Sequence, residues 1–447
     1  MHIVSTGEGE SAVFGCSSFI LYHNKKLLPL RPETISLINM NDFEIIMASI
    51  TGVDKPGLTS CLAAIIAKYG ATILDIGQAD IHSSLSLGIM FKSDKSASGS
   101  ILKEMLFKSC EMGVQVRFAP VAVDEYNHWV SLQGKNRHIV TLLGRNISAS
   151  LIADVAKVLA DQNLNIDTIT RLTGRVPLVE DEAMLGKTRA CVEMSVRGTP
   201  KDKSLLHSEF MRLSQERGYD ISFQEDNLYR RNRRLICFDM DSTLIQTEVI
   251  DELAMRAGVG DEVKAITESA MRGEIDFCES FKRRVSLLKG LDESVMKEIA
   301  ENLPITEGVA RTLKILKQYG YKIAILSGGF TYFGEYLKEK FGIDYVYANE
   351  LEIVDGKLTG NYVGDIVDGK RKADLLRLIA QSEHLNLQQV IAVGDGANDL
   401  PMLNLAGLGI AYHAKPKVKQ NAQQSISTIG IDGVLYMLGF KDSYIQQ

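Results

Sequence analysis

The chain has 447 residues, 45% of them hydrophobic and 24% charged, with a formal net charge of −6. That length exceeds one ordinary core and predicts about two to four soluble, globular domains. The negative balance excludes a nucleic-acid protein whose affinity rests on neutralising phosphates, and the local run Arg230-Arg231-Asn232-Arg233-Arg234 reads as a solvated domain junction.

Six cysteines are scattered without CxxC spacing and read as reduced, buried thiols rather than a zinc site or disulfide framework. No apolar run approaches the ~18 residues of a membrane span, and no charged segment leads into an apolar signal core. A cytoplasmic protein with no membrane partner is expected.

Residues 1–40 carry short strand-like runs at Val13–Phe14 and Phe19–Tyr22 and have no assigned function. Residues 41–127 follow a βαββαβ alternation. Glu44–Gly52 reads as a strand, and Asp54-Lys55-Pro56-Gly57 as a turn opening a helix with Leu58, Leu62, Ile65, Ile66 and Tyr69 on one face. Strands at Ala71–Ile81 and Leu85–Lys92, a helix at Ile101–Met112 and a strand at Val114–Val123 complete this unit. The pattern returns over 136–228. It runs through a strand at His138–Gly144, a helix at Ala149–Asp161, strands at Asn165–Thr173 and Thr188–Val196, a helix at Ser204–Arg217 and a strand at Tyr219–Glu225. Two copies of one small ferredoxin-like unit are the economical reading.

From Arg233 to the end, strands alternate with longer helices, which predicts a Rossmann-like parallel α/β sheet. The strands are Leu235–Phe238, Lys322–Leu326, Val390–Val393 and Leu408–Tyr412. A helical insert occupies roughly 249–303, and a hairpin at Leu351–Gly360 turns at Asp355-Gly356. The catalytic residues all fall beyond this change of grammar, so a fragment beginning near Asn232 is expected to fold alone and retain activity.

Ligands of open α/β sheets collect at the carboxyl ends of the strands. The first strand here ends in Asp239-Met240-Asp241-Ser242-Thr243, the next in Ser327-Gly328-Gly329, and the third in Gly394-Asp395-Gly396-Ala397-Asn398-Asp399; Lys372 precedes the third near a helix start. Two aspartates one residue apart leave a strand end in the same direction. One can attack phosphorus as a carboxylate, and the other can serve as acid and then base. An anionic nucleophile facing an anionic phosphate needs a hard cation, and Mg²⁺ held by Asp239 and Asp395 answers that need. The Ser327 hydroxyl, backbone N–H groups around Gly328 and the Lys372 charge can hold the phosphate oxygens.

These motifs resemble the haloacid dehalogenase-like phosphatases, and within them the phosphoserine phosphatase family. The resemblance implies Asp239 as nucleophile and Asp241 as acid/base. It implies Mg²⁺ on Asp239, Asp395 and the Asp241 carbonyl, with Asp399 in support and Asn398 near the phosphate. The insert resembles that family's cap. Glu248 matches its ammonium-binding position, Met271 and Phe277 its apolar cap contacts, and Arg284 its carboxylate-binding arginine. O-phosphoserine is the implied substrate, hydrolysed in the last step of serine biosynthesis. Homoserine phosphate, a phosphotransfer reaction or an amino-acid-sensing regulator with an inactive catalytic fold are the alternatives. The two N-terminal units resemble ACT domains. The first carries Thr51-Gly52-Val53-Asp54-Lys55-Pro56-Gly57-Leu58, close to that family's turn; the second has Gly144-Arg145-Asn146-Ile147-Ser148-Ala149 and lacks the Pro-Gly. This implies either an amino-acid effector or a ligand-free dimerising role, in a homodimer.

Overall fold

The computed structural model describes residues 3–6, 10–15, 18–23, 26–29, 42–132, 136–175 and 188–445. It divides into two compact units, 1–134 and 135–447. Among the described residues no helix is long and apolar enough to cross a membrane. Cys61, Cys110, Cys191, Cys237 and Cys278 are free thiols, and Cys16 lies outside the described residues.

In the first unit, strands Glu10–Gly15 and Ser18–His23 extend the two short runs seen in sequence and belong to a four-stranded antiparallel meander. A second antiparallel sheet follows, ordered Thr72–Ile81, Ser84–Asp94, Phe43–Val53, Val114–Val121. Alternate residues of Ser84–Asp94 are buried, as a sheet covered on one face requires. Leu58, Leu62 and Ile66 of helix Leu58–Lys68 and Ile101 and Met105 of helix Lys95–Met112 close that face. The second helix starts earlier than its apolar pattern suggests, because its first turns are Ser- and Gly-rich; Ser98 there donates to Glu44 at 2.8 Å. The last strand stops at Val121, and an additional helix, Val123–Ser131, opens with Asp124 and Glu125 in its first turn.

The second unit begins with the same topology. Its strands are ordered Asn165–Arg171, Ala190–Arg197, Arg137–Gly144, Asp220–Glu225, with helices Ala149–Asp161 and Lys203–Arg217 on one face. A seven-stranded sheet follows, ordered Lys357–Val363, Tyr345–Val354, Lys322–Phe330, Leu235–Phe238, Val390–Gly394, Leu408–Tyr412, Gln424–Ile426. Every pairing is parallel except the edge hairpin. Leu235–Phe238 sits at the centre with all its residues buried, so its end opens at the middle of the sheet. The cap helices Val249–Ala257, Gly260–Met271, Phe277–Ser286 and Ser294–Glu301 form an insertion whose two connections meet. Ile245 pairs with Ile305, Gln246 N–H donates to Pro304 O at 2.8 Å, and Thr306 N–H donates to Leu244 O at 3.0 Å.

The junction near Asn232 is not a break in the core. Leu143, Leu172 and Cys191 of the second ferredoxin-like domain are buried in the same apolar cluster as Val434, Leu435 and Met437 of the parallel-sheet domain. An ion pair crosses the same boundary, Asp432 accepting from Arg189, and Arg230 and Arg233 of the junction run are buried rather than solvated, Arg230 donating to Glu193 at 2.5 Å. The expectation that a fragment from Asn232 folds alone therefore meets a shared core, which sequence periodicity cannot reveal.

Candidate active site

Strand Leu235–Phe238 delivers Asp239, and the chain then turns sharply, with the N–H groups of Leu244 and Ile245 both donating to Met240 O. Ser242 adopts a left-handed φ of 55°, uncommon for a residue with a Cβ. Its N–H donates to Thr247 O at 3.3 Å, and its hydroxyl donates to Glu248 at 2.8 Å. This bend sends the chain into the cap and leaves Asp239 and Asp241 facing one cavity of about 140 Å³. Glu248, Phe277, Arg284, Gly328, Gly329, Asp395 and Asn398 line that cavity too.

Asp239 is buried. Its Oδ2 lies 2.9 Å from Lys372 Nζ, and its Oδ1 accepts from Met240 N–H at 2.7 Å. Lys372 also reaches Asp399 Oδ1 at 2.7 Å. Burial opposes its ammonium, but the two carboxylates outweigh burial and hold it protonated. Burial and then Asp399 push the Asp239 carboxyl up, against the pull of Lys372. Burial followed by Glu248 pushes Asp241 well above the usual carboxylate range, while Val249 N–H donates to its Oδ1 at 3.1 Å. Burial, with Asp399 and Glu248, raises Asp395 to about 7. Thr243 donates to Asp395 Oδ1 at 3.3 Å.

Carboxylate oxygens of Asp239, Asp395 and Asp399 lie within 4.8 Å of one another. Asp399 is already committed, since its Oδ1 meets Lys372 and its Oδ2 accepts Gly396 N–H at 2.9 Å. Asp239 is engaged in the same way, by Lys372 and by Met240 N–H, while Asp395 Oδ1 accepts from Thr243 at 3.3 Å. This all-oxygen, anionic set fits a hard divalent cation, which would offset the negative charge that, after burial, raises these carboxyl groups.

Glycines permit the close approaches here. A Cβ on Gly369 would fall 2.4 Å from Asn398 O, so helix Gly369–Ser382 can seat Lys372 beneath the loop only with glycine there. A Cβ on Gly329 would fall 2.2 Å from Asp241 Oδ2. Strand Lys322–Phe330 runs through Ser327-Gly328-Gly329 rather than stopping before it, with a register shift between Leu326 and Phe330. Ser327 is fully buried, and its Oγ accepts Gly329 N–H at 2.9 Å.

From the cap, Phe277 comes within 2.9 Å of where a Gly328 Cβ would stand, so the cap is closed over the strand end. Arg284 is half-buried, with Nε donating to Ser280 O at 3.4 Å. Burial lowers its pKa, opposed by Glu248, Asp251 and Asp241. Met271 ends helix Gly260–Met271, and its side chain lies outside what the structure describes.

Sequence reasoning missed Asn349. It is buried, donates to Gly328 O at 2.8 Å and Gly329 O at 3.2 Å, and accepts Val367 N–H at 2.8 Å. An asparagine inside the strand-forming run Tyr345-Val346-Tyr347-Ala348-Asn349 is out of place by propensity, and that was the available signal. Also unforeseen is the second domain's turn: Arg145 grips Glu307 with two hydrogen bonds, of 3.0 and 2.8 Å, just beyond the cap connection.

Residues 233–407 match the haloacid dehalogenase-like hydrolase family, and residues 44–119 and 136–224 each match an ACT domain. The chain is 38% identical over 395 residues to the phosphoserine phosphatase SerB2 of Mycobacterium tuberculosis, covering 88% of this chain and 93% of that protein. It is 36% identical over 408 residues to the phosphoserine phosphatase of Streptomyces coelicolor, covering 91% and 94%. A probable phosphoserine phosphatase of Vibrio cholerae, solved unliganded, superposes with a TM-score of 0.54 at 35% identity, over 67% of this chain and 86% of that one. With a parallel-sheet hydrolase domain, two ACT domains and relatives alike over nearly their whole length, the chain belongs to the phosphoserine phosphatase family of haloacid dehalogenase-like hydrolases.

Proposed function

We propose that this protein hydrolyses O-phosphoserine to serine and phosphate, the last step of serine biosynthesis, in a Mg²⁺-dependent reaction through a phospho-aspartyl intermediate on Asp239. The observation that carries the reading is that Glu248 and Arg284 line the same small cavity as Asp239 and Asp241. A cavity that holds a nucleophile together with an anion–cation pair suits a phosphate ester that also bears an ammonium and a carboxylate.

In this mechanism an Asp239 carboxylate oxygen attacks phosphorus, and the bond from phosphorus to the serine oxygen breaks. Asp241, held protonated by its buried site, gives its proton to that leaving oxygen. The resulting Asp241 carboxylate then takes a proton from water, which attacks phosphorus and releases Asp239. Lys372 keeps Asp239 oriented through the 2.9 Å contact and favours its carboxylate form against burial and Asp399, which push the carboxyl up. Ser327, Gly328 and Asn398 hold the phosphate oxygens, and Asn349 fixes the Ser327–Gly329 segment from behind. Asp239, Asp395 and the Asp241 carbonyl would hold Mg²⁺, with Asp399 in support. The bound ion offsets the repulsion between carboxylate and phosphate. Arg284 reads the substrate carboxylate, Glu248 its ammonium, and Phe277 with Met271 packs its carbon skeleton.

Around this site we assign ACT domains to 41–127 and 136–228 and the phosphatase domain to 233–447, in a cytoplasmic homodimer. An amino-acid effector is assigned to the first ACT turn, Thr51–Leu58. The test is a turnover panel with Mg²⁺ containing O-phosphoserine, O-phosphothreonine, homoserine phosphate and p-nitrophenyl phosphate. O-phosphoserine should show the highest kcat/KM. Preference for homoserine phosphate, or no turnover at all, would overturn the assignment.

A further inference from the structure

A second cavity, of about 250 Å³ against about 140 Å³ for the catalytic one, opens between the second ACT domain and the edge of the catalytic sheet. Leu206 and Phe210 of helix Lys203–Arg217, Ile221 of strand Asp220–Glu225 and Ala422 from the catalytic domain give it apolar walls. It lies in a built seam. Gln424 acts as a strand partner to Phe223, accepting its N–H at 3.1 Å and donating to its carbonyl at 2.9 Å. Asp220 accepts the N–H groups of Ser427 and Thr428, each at 2.9 Å. These bonds fix the position of the two walls relative to one another.

His138 lies in the cavity wall and is 2% exposed. Stacking on Phe223, with ring centroids 4.6 Å apart, fixes the imidazole in place. The charged residues of the lining are chiefly cationic. Lys203 and Lys419 face it, against Glu225. Lys203 and Glu225 are 3.5 Å apart with side chains 68% and 64% exposed, a weak pair that can exchange partners readily. The cavity's lining does not include the ACT turn at Gly144–Ala149, where Arg145 is engaged by Glu307.

We propose that this seam is a binding site for a small carboxylic acid with an apolar side chain. The apolar walls take the side chain, and Lys203 and Lys419 take the carboxylate. If the acid is an amino acid, Glu225 takes its ammonium. A ligand here touches both the second ACT domain and strand Gln424–Ile426, so it stabilises the docked arrangement of the two.

The test is calorimetric titration of the full-length protein with leucine, phenylalanine, 4-methyl-2-oxopentanoate and phenylpyruvate, with saturating inorganic phosphate in the catalytic cavity. At least one acid should bind at one site per chain and raise the thermal midpoint. Binding by the amino acids alone assigns Glu225 to the ligand, and binding by the oxo acids as well leaves recognition to the lysines; either supports the site. Replacing both lysines by glutamine (Lys203→Gln with Lys419→Gln) removes the charge-assisted contacts and should weaken binding by about tenfold or more. Met211→Trp, at a half-buried position of the lining, should block it. Both variants should release phosphate from O-phosphoserine at the parent rate in the absence of the acids. No binding by any of the four acids, or affinity unchanged in both variants, would overturn the proposal.

Discussion

Gly329→Ala is a one-carbon test of the assignment of Asp241. The added Cβ would stand 2.2 Å from Asp241 Oδ2 and 2.9 Å from Met240 Cε, where ordinary contact begins near 3.4 Å. Strand Lys322–Phe330 is buried along this stretch and tied by Asn349, so the carboxylate must yield rather than the backbone. The displacement is then about 1.2 Å, from 3.4 minus 2.2. A misplacement of about 1 Å can cost about 10²-fold, and complete loss of acid–base assistance costs roughly 10²–10⁴-fold. The variant should therefore lose about 10²–10⁴ in kcat for O-phosphoserine, or about 3–5 kcal/mol of transition-state stabilisation. Gly329 has no left-handed φ, so alanine adds no backbone strain and the protein should remain folded. Rapid-quench measurement separates the two steps. With p-nitrophenyl phosphate, whose leaving group needs little protonation, phosphoenzyme should still form and then accumulate, because activation of water is impaired. Near-parental turnover of O-phosphoserine in a folded variant would refute the placement of Asp241 as the proton carrier.

Further outcomes follow from the same geometry. Asp239→Asn should abolish turnover and leave no acid-stable phosphoenzyme; residual activity close to that of the parent would rule out covalent catalysis at this position. Arg284→Ala should lower kcat/KM for O-phosphoserine by roughly ten- to a hundredfold, the value of a charge-assisted hydrogen bond, while hardly affecting p-nitrophenyl phosphate; equal losses on both substrates would make Arg284 structural. EDTA should inactivate and Mg²⁺ restore, with Ca²⁺ supporting less activity because its looser coordination misplaces the nucleophile; full activity in metal-free buffer would contradict the assigned ligands. A fragment from residue 136 should unfold at a higher temperature than one from residue 232, because the shorter one uncovers the cluster around Leu435 and leaves Asp432 without Arg189; equal midpoints would show that the shared core contributes nothing.

Much of the site was legible because phosphoryl chemistry is concentrated in short segments at strand ends. Asp239, Asp241, Asp395 and Asn398 line one cavity, with Gly328 beside them, as their positions after buried strands suggested. Lys372 was legible only as a helix-start lysine. Its role depends on the glycine contact at Gly369, which brings it under Asp239 and Asp399. The roles of Asn349 and Arg145 were not legible, because each acts on a partner distant in sequence, although Arg145 lies in the second ACT turn and Asn349 stands out by propensity. The extra helix at Val123–Ser131 and the early start of Lys95–Met112 were lost for a different reason. The first is short and buries no side chain, and the second opens on Ser- and Gly-rich turns that carry no apolar period.

By itself the sequence determined the local grammar: two βαββαβ repeats, a parallel-sheet domain with a helical insert, and which aspartates terminate which strands. Those follow from residue spacing, since a strand repeats every two residues and a helix every 3.6. Tertiary structure alone decided that the second ACT domain shares a core with the catalytic domain, that Phe277 meets Gly328 beneath a closed cap, and that Gly329 leaves room for Asp241. The physical reason is that these are close packings of side chains from remote segments. Interiors packed like molecular crystals allow one carbon too many or too few to matter, and no periodicity along the chain records which distant surfaces will meet.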